Sequence, residues 1–482
     1  MSVRFRPKGS VVGDVMPFYE NRNGEYHIFY LRGYEGDRLS RWQLRCSHIK
    51  SRDLLNWQEM PDALDIGDRS SPDGGAVSTG SIILGKDNEW HFFYVGYNPE
   101  NPRGKEQILH ATSRDGILFK KDGELTVIDP DNRNYLAGGD WRDPYVFWDA
   151  DQKEYCMTIT ANSPEAVCRE RAGVVGIAKS DNLKTWVLDK PIYVPNNYPA
   201  LECTEVFKIG KQWYMIFSQF GGYTEYRISN SLYGPWSRPK NPILDRGASF
   251  FYAARTLFDG KRRLLFGWCG TEKDNIDSEF GQWGGDLVSA REIMQGKNGE
   301  LYLMCPIELR KDFTPLDDSI FPLIGNWAKE DRRKIRCVFT PGFSACLFKG
   351  SHSRGIMALN LKSDRNSGKG GVLLNAYDDL SRCYYISYDF GLKLLEIIKF
   401  KFERQDVDSL PRLTKTIAYQ ILEHKEDQEE AIELRIFHDS DIIEVFANNQ
   451  AVITARVGEI GGKRIGLFAE DAEVVFGDME LG

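Results

Sequence analysis

The sequence has no run of 18 apolar residues, no apolar stretch near its start that would serve as a signal peptide, and no block of five or six like charges. The first two absences argue against a membrane-spanning helix and lead us to expect a soluble, cytoplasmic protein. The third, with 62 basic against 70 acidic residues and a net charge of −8, argues against nucleic acid or an anionic membrane as partner. Nine cysteines include no C-x-x-C pair, and seven histidines show no H-E-x-x-H or other ligand spacing. No disulfide framework, metal site or cofactor is therefore expected, and the cysteines read as reduced, mostly buried small residues.

What the 482 residues do contain is 41% hydrophobic and 12% aromatic side chains, ample for packed cores in two or three domains. The 45 Gly, 20 Pro and 27% charged residues are ordinary globular usage, so a disordered or fibrous chain does not fit. A small, neutral or weakly charged ligand is the natural partner, and a homo-oligomer is compatible with the sequence.

The main organising signal is a repeat. Short aromatic runs bounded by turn residues begin at Glu25, Glu89, Glu154, Gln212 and Arg262; their length and composition predict strands. Taking Tyr26, Trp90, Tyr155, Trp213 and Leu264 as equivalent, the steps are 64, 65, 58 and 51 residues. A second motif sits inside the period: Ser51-Arg-Asp-Leu-Leu-Asn-Trp57, Ser113-Arg-Asp-Gly-Ile-Leu-Phe119 and Ser180-Asp-Asn-Leu-Lys-Thr-Trp186, with a weaker Tyr233-Gly-Pro-Trp236. Each reads as a polar turn leading into an aromatic that plugs between neighbouring units. Units of this length, each with room for four strands, predict an all-β fold: a five-bladed β-propeller over residues 1–310.

Before each aromatic strand lies another short strand, and in a propeller the first strand of each blade lines the axis. Asp14 precedes Tyr26 by 12 residues, Asp143 precedes Tyr155 by 12, and Glu202 precedes Trp213 by 11; Thr79 and Tyr252 hold the matching places in the second and fifth units. Three carboxylates in one concave pocket raise the pKa of at least one member, so that one carboxyl can donate a proton while another attacks. After about residue 310 the repeat stops. Short runs with partial alternation, such as those beginning at Lys334, Gly355, Cys383, Glu433 and Ile443, predict a β-sandwich over residues 311–482, a structural or carbohydrate-contacting module, with a solvated loop from 424 to 430.

These motifs resemble glycoside hydrolase family 32, the invertases, levanases and inulinases. Trp141-Arg142-Asp143-Pro144 resembles the family's Arg-Asp-Pro box, Glu202-Cys203 its Glu-Cys box, and Ser78-Thr-Gly-Ser81 its Ser-Gly-Ser segment. Leu244 to Ala254, Arg263 to Trp268 and Gly281 to Gly285 resemble its fifth blade, and Phe437 to Phe446 its C-terminal sandwich. The resemblance implies a retaining hydrolase acting on fructosides: Asp14 as nucleophile, Glu202 as acid/base, and Asp143 holding sugar hydroxyls. It implies Arg142, Thr79, Ser81, His48, Tyr252 and Trp283 as substrate contacts, with Arg142 keeping Asp14 or Asp143 ionised. Trp42, Trp141 and Trp268 are further candidates to stack on sugar faces.

The first box departs from the family pattern. Val11-Val-Gly-Asp-Val-Met-Pro17 keeps the Asp but lacks the usual Asn and adjoining Pro, and Leu31 and Cys46 stand where Gln and Trp are usual. Another furanoside, such as an arabinoside, is the alternative substrate that this leaves open. A silent sugar-binding protein and a transferase are the alternatives in activity.

Overall fold

The computed structural model describes residues 4–34, 43–123, 127–220, 222–247, 250–271, 282–310, 319–331, 333–339, 341–350, 354–401, 414–422, 431–439, 441–458 and 461–481. Trp42, Gly281 and the 424–430 loop lie outside them. Among the described residues there is no α-helix, and no helix long and apolar enough to cross a membrane. All nine cysteines are free, and all but Cys168 are buried.

The strands form an antiparallel meander taken in successive sets. Set one comprises Ser10–Glu20, Glu25–Tyr34, Arg45–Ser51 and Gln58–Leu64; set two Ala76–Leu84, Trp90–Tyr97, Glu106–Ser113 and Lys120–Lys121. Set three comprises Trp141–Asp149, Glu154–Asn162, Gly173–Ser180 and Val187–Tyr193; set four Leu201–Ile209, Gln212–Gln219, Thr224–Ser229 and Ile243–Asp245. The fifth has Tyr252–Phe258, Arg263–Thr271, Arg291–Gln295 and Leu301–Met304. The second strand of a set is buried almost end to end, as in Trp90–Tyr97, which is why it reads in sequence as a continuous aromatic run.

The polar turns are as expected and repeat atom for atom. Asp53 accepts from the amides of Leu55 and Asn56, Asp115 from Ile117, and Asn182 from Lys184 and Thr185. At the same place in each turn, Leu54, Gly116 and Leu183 take left-handed backbone. The aromatic that follows packs on the preceding set: Phe119 against Phe29, Trp186 against Phe93. Trp57 of set one packs against Phe266 of the fifth, so the wedges run round a closed ring. Strand Gln282–Leu287 completes the closure, pairing with Arg263–Thr271 on one side and with Ser10–Glu20, through Val12 and Gly285, on the other.

The remaining strands form a β-sandwich. Its two sheets enclose one apolar cluster that includes Ile335, Leu361, Val372, Ile386, Ile436 and Phe476. One of these sheets is continuous with set four through a parallel pair at Asp245 and Val452. Charges seal this junction. Asp245 accepts from the Thr454 amide and hydroxyl, and Arg291 pairs with Glu444 at 2.8 Å.

Candidate active site

The first strand of every set is broken at the same place. Register shifts fall between Val12 and Val15, Ser78 and Gly80, Arg142 and Tyr145, Glu202 and Glu205, and Tyr252 and Arg255. Each is a β-bulge, which adds a residue to one strand and turns a side chain out of the ladder's alternation. In three of them a residue with a side chain takes the left-handed region: Asp143 at φ 58°, Cys203 at 53° and Ala253 at 49°. Such backbone costs on the order of 1–3 kcal/mol for a non-glycine residue and persists only where the surroundings enforce it. Here it aims side chains from every set into one funnel.

Asp14, Thr79, Arg142, Asp143, Glu202 and Tyr252 meet there. Thr79 donates to Asp14 Oδ2 at 2.5 Å across 65 residues, and Trp268 Nε1 donates to Oδ1 at 3.2 Å across 254. Arg142 Nη2 donates to Glu202 Oε1 at 3.0 Å, and the Tyr252 hydroxyl donates to Oε2. Asp143 Oδ2 accepts from the Cys203 amide at 2.9 Å, with the Thr160 hydroxyl at 3.1 Å. Rings of Tyr252 and Trp268 lie 5.5 Å apart, and Trp283 stands edge-on to Trp268 at 6.1 Å. The Trp283 ring also lies over Gly13: a Cβ there would be 2.2 Å from it.

Burial acts on Asp14 and Glu202 in the same direction, and different neighbours oppose it. Burial pushes the Asp14 carboxyl above its ordinary value; the Thr79 bond opposes this, Asp143 adds to it, and Trp268 and Arg255 oppose it. Burial also raises Glu202, with the Arg142 cation pulling the other way and Asp143 adding to the rise. Arg142 keeps its charge despite burial because Asp143, Glu202, Glu106 and Asp140 surround it. Its close bonds go to Asp140, at 2.5 Å, and Glu202, while Asp143 stands 3.9 Å away. Within the acid cluster Arg142 therefore serves Glu202 more directly than it serves Asp143.

Two expected contacts lie elsewhere. His48 is two strands out from the axis, in register with Phe29, which in turn faces Met16; it stacks on Phe29 and bonds His27 at 2.9 Å within the sheet. Burial lowers the pKa of these imidazoles, to about 4 for His27 and about 3 for His48. Ser81 falls two residues past Thr79, beyond the bulge, and accepts from the Val146 amide at 2.8 Å, a strut between sets two and three. Leu31 and Cys46 sit in an apolar cluster with Met16. Trp141 is buried, its Nε1 donating to the Ile128 carbonyl.

Sequence reasoning passed over Arg255 and Glu205, both buried at the axis. Glu205 accepts from the Thr256 amide at 2.6 Å and pairs with Arg263. Away from the funnel, Glu20, Glu25 and His27 bring ligand atoms within 4.8 Å of one another, but Lys50 and Arg52 already hold Glu25 and Asn23 holds Glu20.

Comparison with known proteins gives concordant matches. The family description "Glycosyl hydrolases family 32 N-terminal domain" matches residues 5–306, and "Glycosyl hydrolases family 32 C terminal" matches residues 336–481. A sucrose-6-phosphate hydrolase of Escherichia coli is 27% identical over 319 residues, covering 62% of this chain and 63% of that protein. A raffinose invertase of the same organism is 26% identical over 304 residues, 58% of this chain and 59% of its own. The chain thus spans less than two thirds of the length of these curated relatives. Among solved structures, exo-inulinase from Aspergillus awamori superposes with a TM-score of 0.73 at 17% identity, covering 98% of this chain and 97% of that one. Sucrose-6-phosphate hydrolase from Lactobacillus gasseri gives 0.71 at 18%, covering 99% and 92%. These likenesses establish the fold as propeller followed by sandwich.

Proposed function

The chain belongs to glycoside hydrolase family 32, and from that premise we propose a retaining hydrolase that releases terminal β-fructofuranosyl units from sucrose, a sucrose phosphate or fructo-oligosaccharides. The observation that carries this reading is the convergence of Asp14, Asp143 and Glu202 on three matching bulges, each acid in a different hydrogen-bonding environment. We read the strand sets as five blades, with the boundary to the sandwich near residue 310.

In the proposed reaction a carboxylate oxygen of Asp14 attacks the anomeric carbon. The glycosidic C–O bond breaks, and its electron pair stays on the leaving oxygen, which takes the proton of Glu202. Glu202, now a carboxylate, then removes a proton from water. That water attacks the anomeric carbon and frees Asp14. Glu202 suits the donor role because burial keeps its proton on, while Tyr252 and Arg142 fix its orientation. Asp14 suits attack because Thr79 and Trp268 hold both its oxygens. Asp143, fixed by the Cys203 amide, is placed to hold sugar hydroxyls as charge builds on the ring. A cytoplasmic setting agrees with nine unpaired cysteines.

NMR product analysis on sucrose, sucrose phosphate, inulin-type and levan-type oligomers tests this directly. Fructose with retained configuration in the first-formed product is the expected result; no fructose from any of them overturns the substrate claim. One observation favours a second reading. The Trp283 ring fills the space over Gly13, beside the nucleophile, where no side chain fits. That apolar wall suits a differently substituted furanose such as an arabinoside, and chromogenic furanosides separate the two substrates.

A further inference from the structure

Arg255 stands behind the acid cluster and has a role in none of the steps above. It is 1% exposed. Nη1 donates to the Gly80 carbonyl at 2.9 Å and Nη2 to the Asp143 carbonyl at 3.1 Å. Gly80 directly follows Thr79, the donor to Asp14, so one side chain from the fifth set fastens the bulges of sets two and three. Its Nε has no partner, and its bonds to protein are to carbonyl oxygens rather than to a carboxylate. A buried guanidinium without a bonded anion is costly unless nearby negative charge compensates it.

The groups around it supply that charge. Asp14 comes from the first set, Asp143 with Arg142 and Tyr145 from the third, Glu202, Cys203 and Glu205 from the fourth, and Tyr252 and Arg263 from the fifth. Of these cations, Arg142 is committed to Glu202 and Asp140, and Arg263 to Glu205. Arg255 holds the Asp143 backbone and lends its charge to Asp14 as well as to Glu205. We propose that Arg255 is a positioning residue of this site: without touching substrate, it pins the bulges that carry Thr79 and Asp143 and provides the counter-charge for the Asp14 carboxylate. This rests on the assignment of Asp14 as nucleophile.

Removing the charge disfavours ionised Asp14, so the acid limb of kcat/KM, where activity falls as pH drops, moves to higher pH. For Arg255→Gln the expected result is an upward move of about one pH unit with about a thirtyfold lower kcat. Arg255→Lys keeps the charge but not the forked geometry; its limb stays in place while kcat falls about tenfold. The opposite end of the axis offers a second test. A cavity of about 200 Å³, lined by Arg255, Ser81, Tyr145, Thr256 and Arg263, opens there. Through it, millimolar guanidinium is expected to restore part of the activity of Arg255→Ala. An unmoved acid limb in Arg255→Gln, or lysine and glutamine variants with identical profiles, overturns the proposal. Absence of fructose release by the unmodified protein overturns the reading beneath it instead, which keeps the two failures distinct.

Discussion

Left-handed residues other than glycine occur in both halves of the molecule, and their identities differ. In the sandwich they are mainly Asn366, Asn375, Asn448, Asn449, Asp471 and Asp478, the residue types that tolerate this backbone. At the axis of the propeller they are Asp143, Cys203 and Ala253, of which two have no such tolerance. The sandwich also buries a contiguous apolar cluster, whereas the axis buries Asp143, Glu205 and Arg255. The sandwich interior is built for packing and keeps its buried charges, Glu444 and Arg456, at the seam with the propeller, where they meet Arg291 and Asp286; the axis accepts backbone strain and buried charge at its centre, so that side chains from distant stretches of chain face one another.

That contrast makes the two regions separable by mutation. Asp14→Asn or Glu202→Gln is expected to lower kcat by about a thousandfold or more, with the melting temperature little changed. A large stability loss with residual activity intact would erase the distinction. Ile386→Ala, in the fully buried sandwich cluster, is expected to do the reverse: about 2–5 kcal/mol lost in denaturant titration, with kcat/KM preserved in the folded fraction. Arg142→Gln sharpens the comparison within the funnel. Loss of its cation leaves the Glu202 carboxylate less favoured and its pKa higher, so the alkaline limb of the kcat profile moves up in pH, with about a tenfold fall in kcat from lost orientation.

The smallest effect concerns the imidazole pair of set one. His27 and His48 are held neutral, with folded pKa values of about 4 and about 3 against an ordinary 6.5. The unfolded chain takes up their protons first as pH falls. Their contribution to stability is therefore complete above about pH 6.5 and is lost progressively toward pH 4 and 3. Melting curves at pH 7 and 4.5 measure the slope, and replacing both by glutamine should flatten it.

The three acids were legible in the sequence because a repeat of loose period still puts them in phase with the aromatic strands. Arg142, Thr79 and Tyr252 came with them. The bulge was not legible: it shows only as an interrupted pairing register, and one residue of phase decides whether a side chain enters the funnel. Ser81, two residues beyond Thr79, was misassigned for that reason. His48 was misassigned because its strand lies off the axis by two pairings, a distance that sequence neighbourhood does not encode. Arg255 stayed unseen because a charged residue between Ala254 and Thr256 looks in sequence like the exposed side of a strand. The sandwich strands were recognisable from their texture, but not the continuity of one sheet with set four, which rests on a single parallel pair at Asp245 and Val452.

The ring closure has a bearing on how the protein is made. The strand carrying Asp14 is translated some 270 residues ahead of Gln282–Leu287, with which it pairs. Arg4, just ahead of it, waits longer still for Asp439 and Asp441. A nascent chain halted anywhere before Leu287 thus exposes an unpaired edge beside Asp14, and the walls of the funnel stay incomplete until that strand is made.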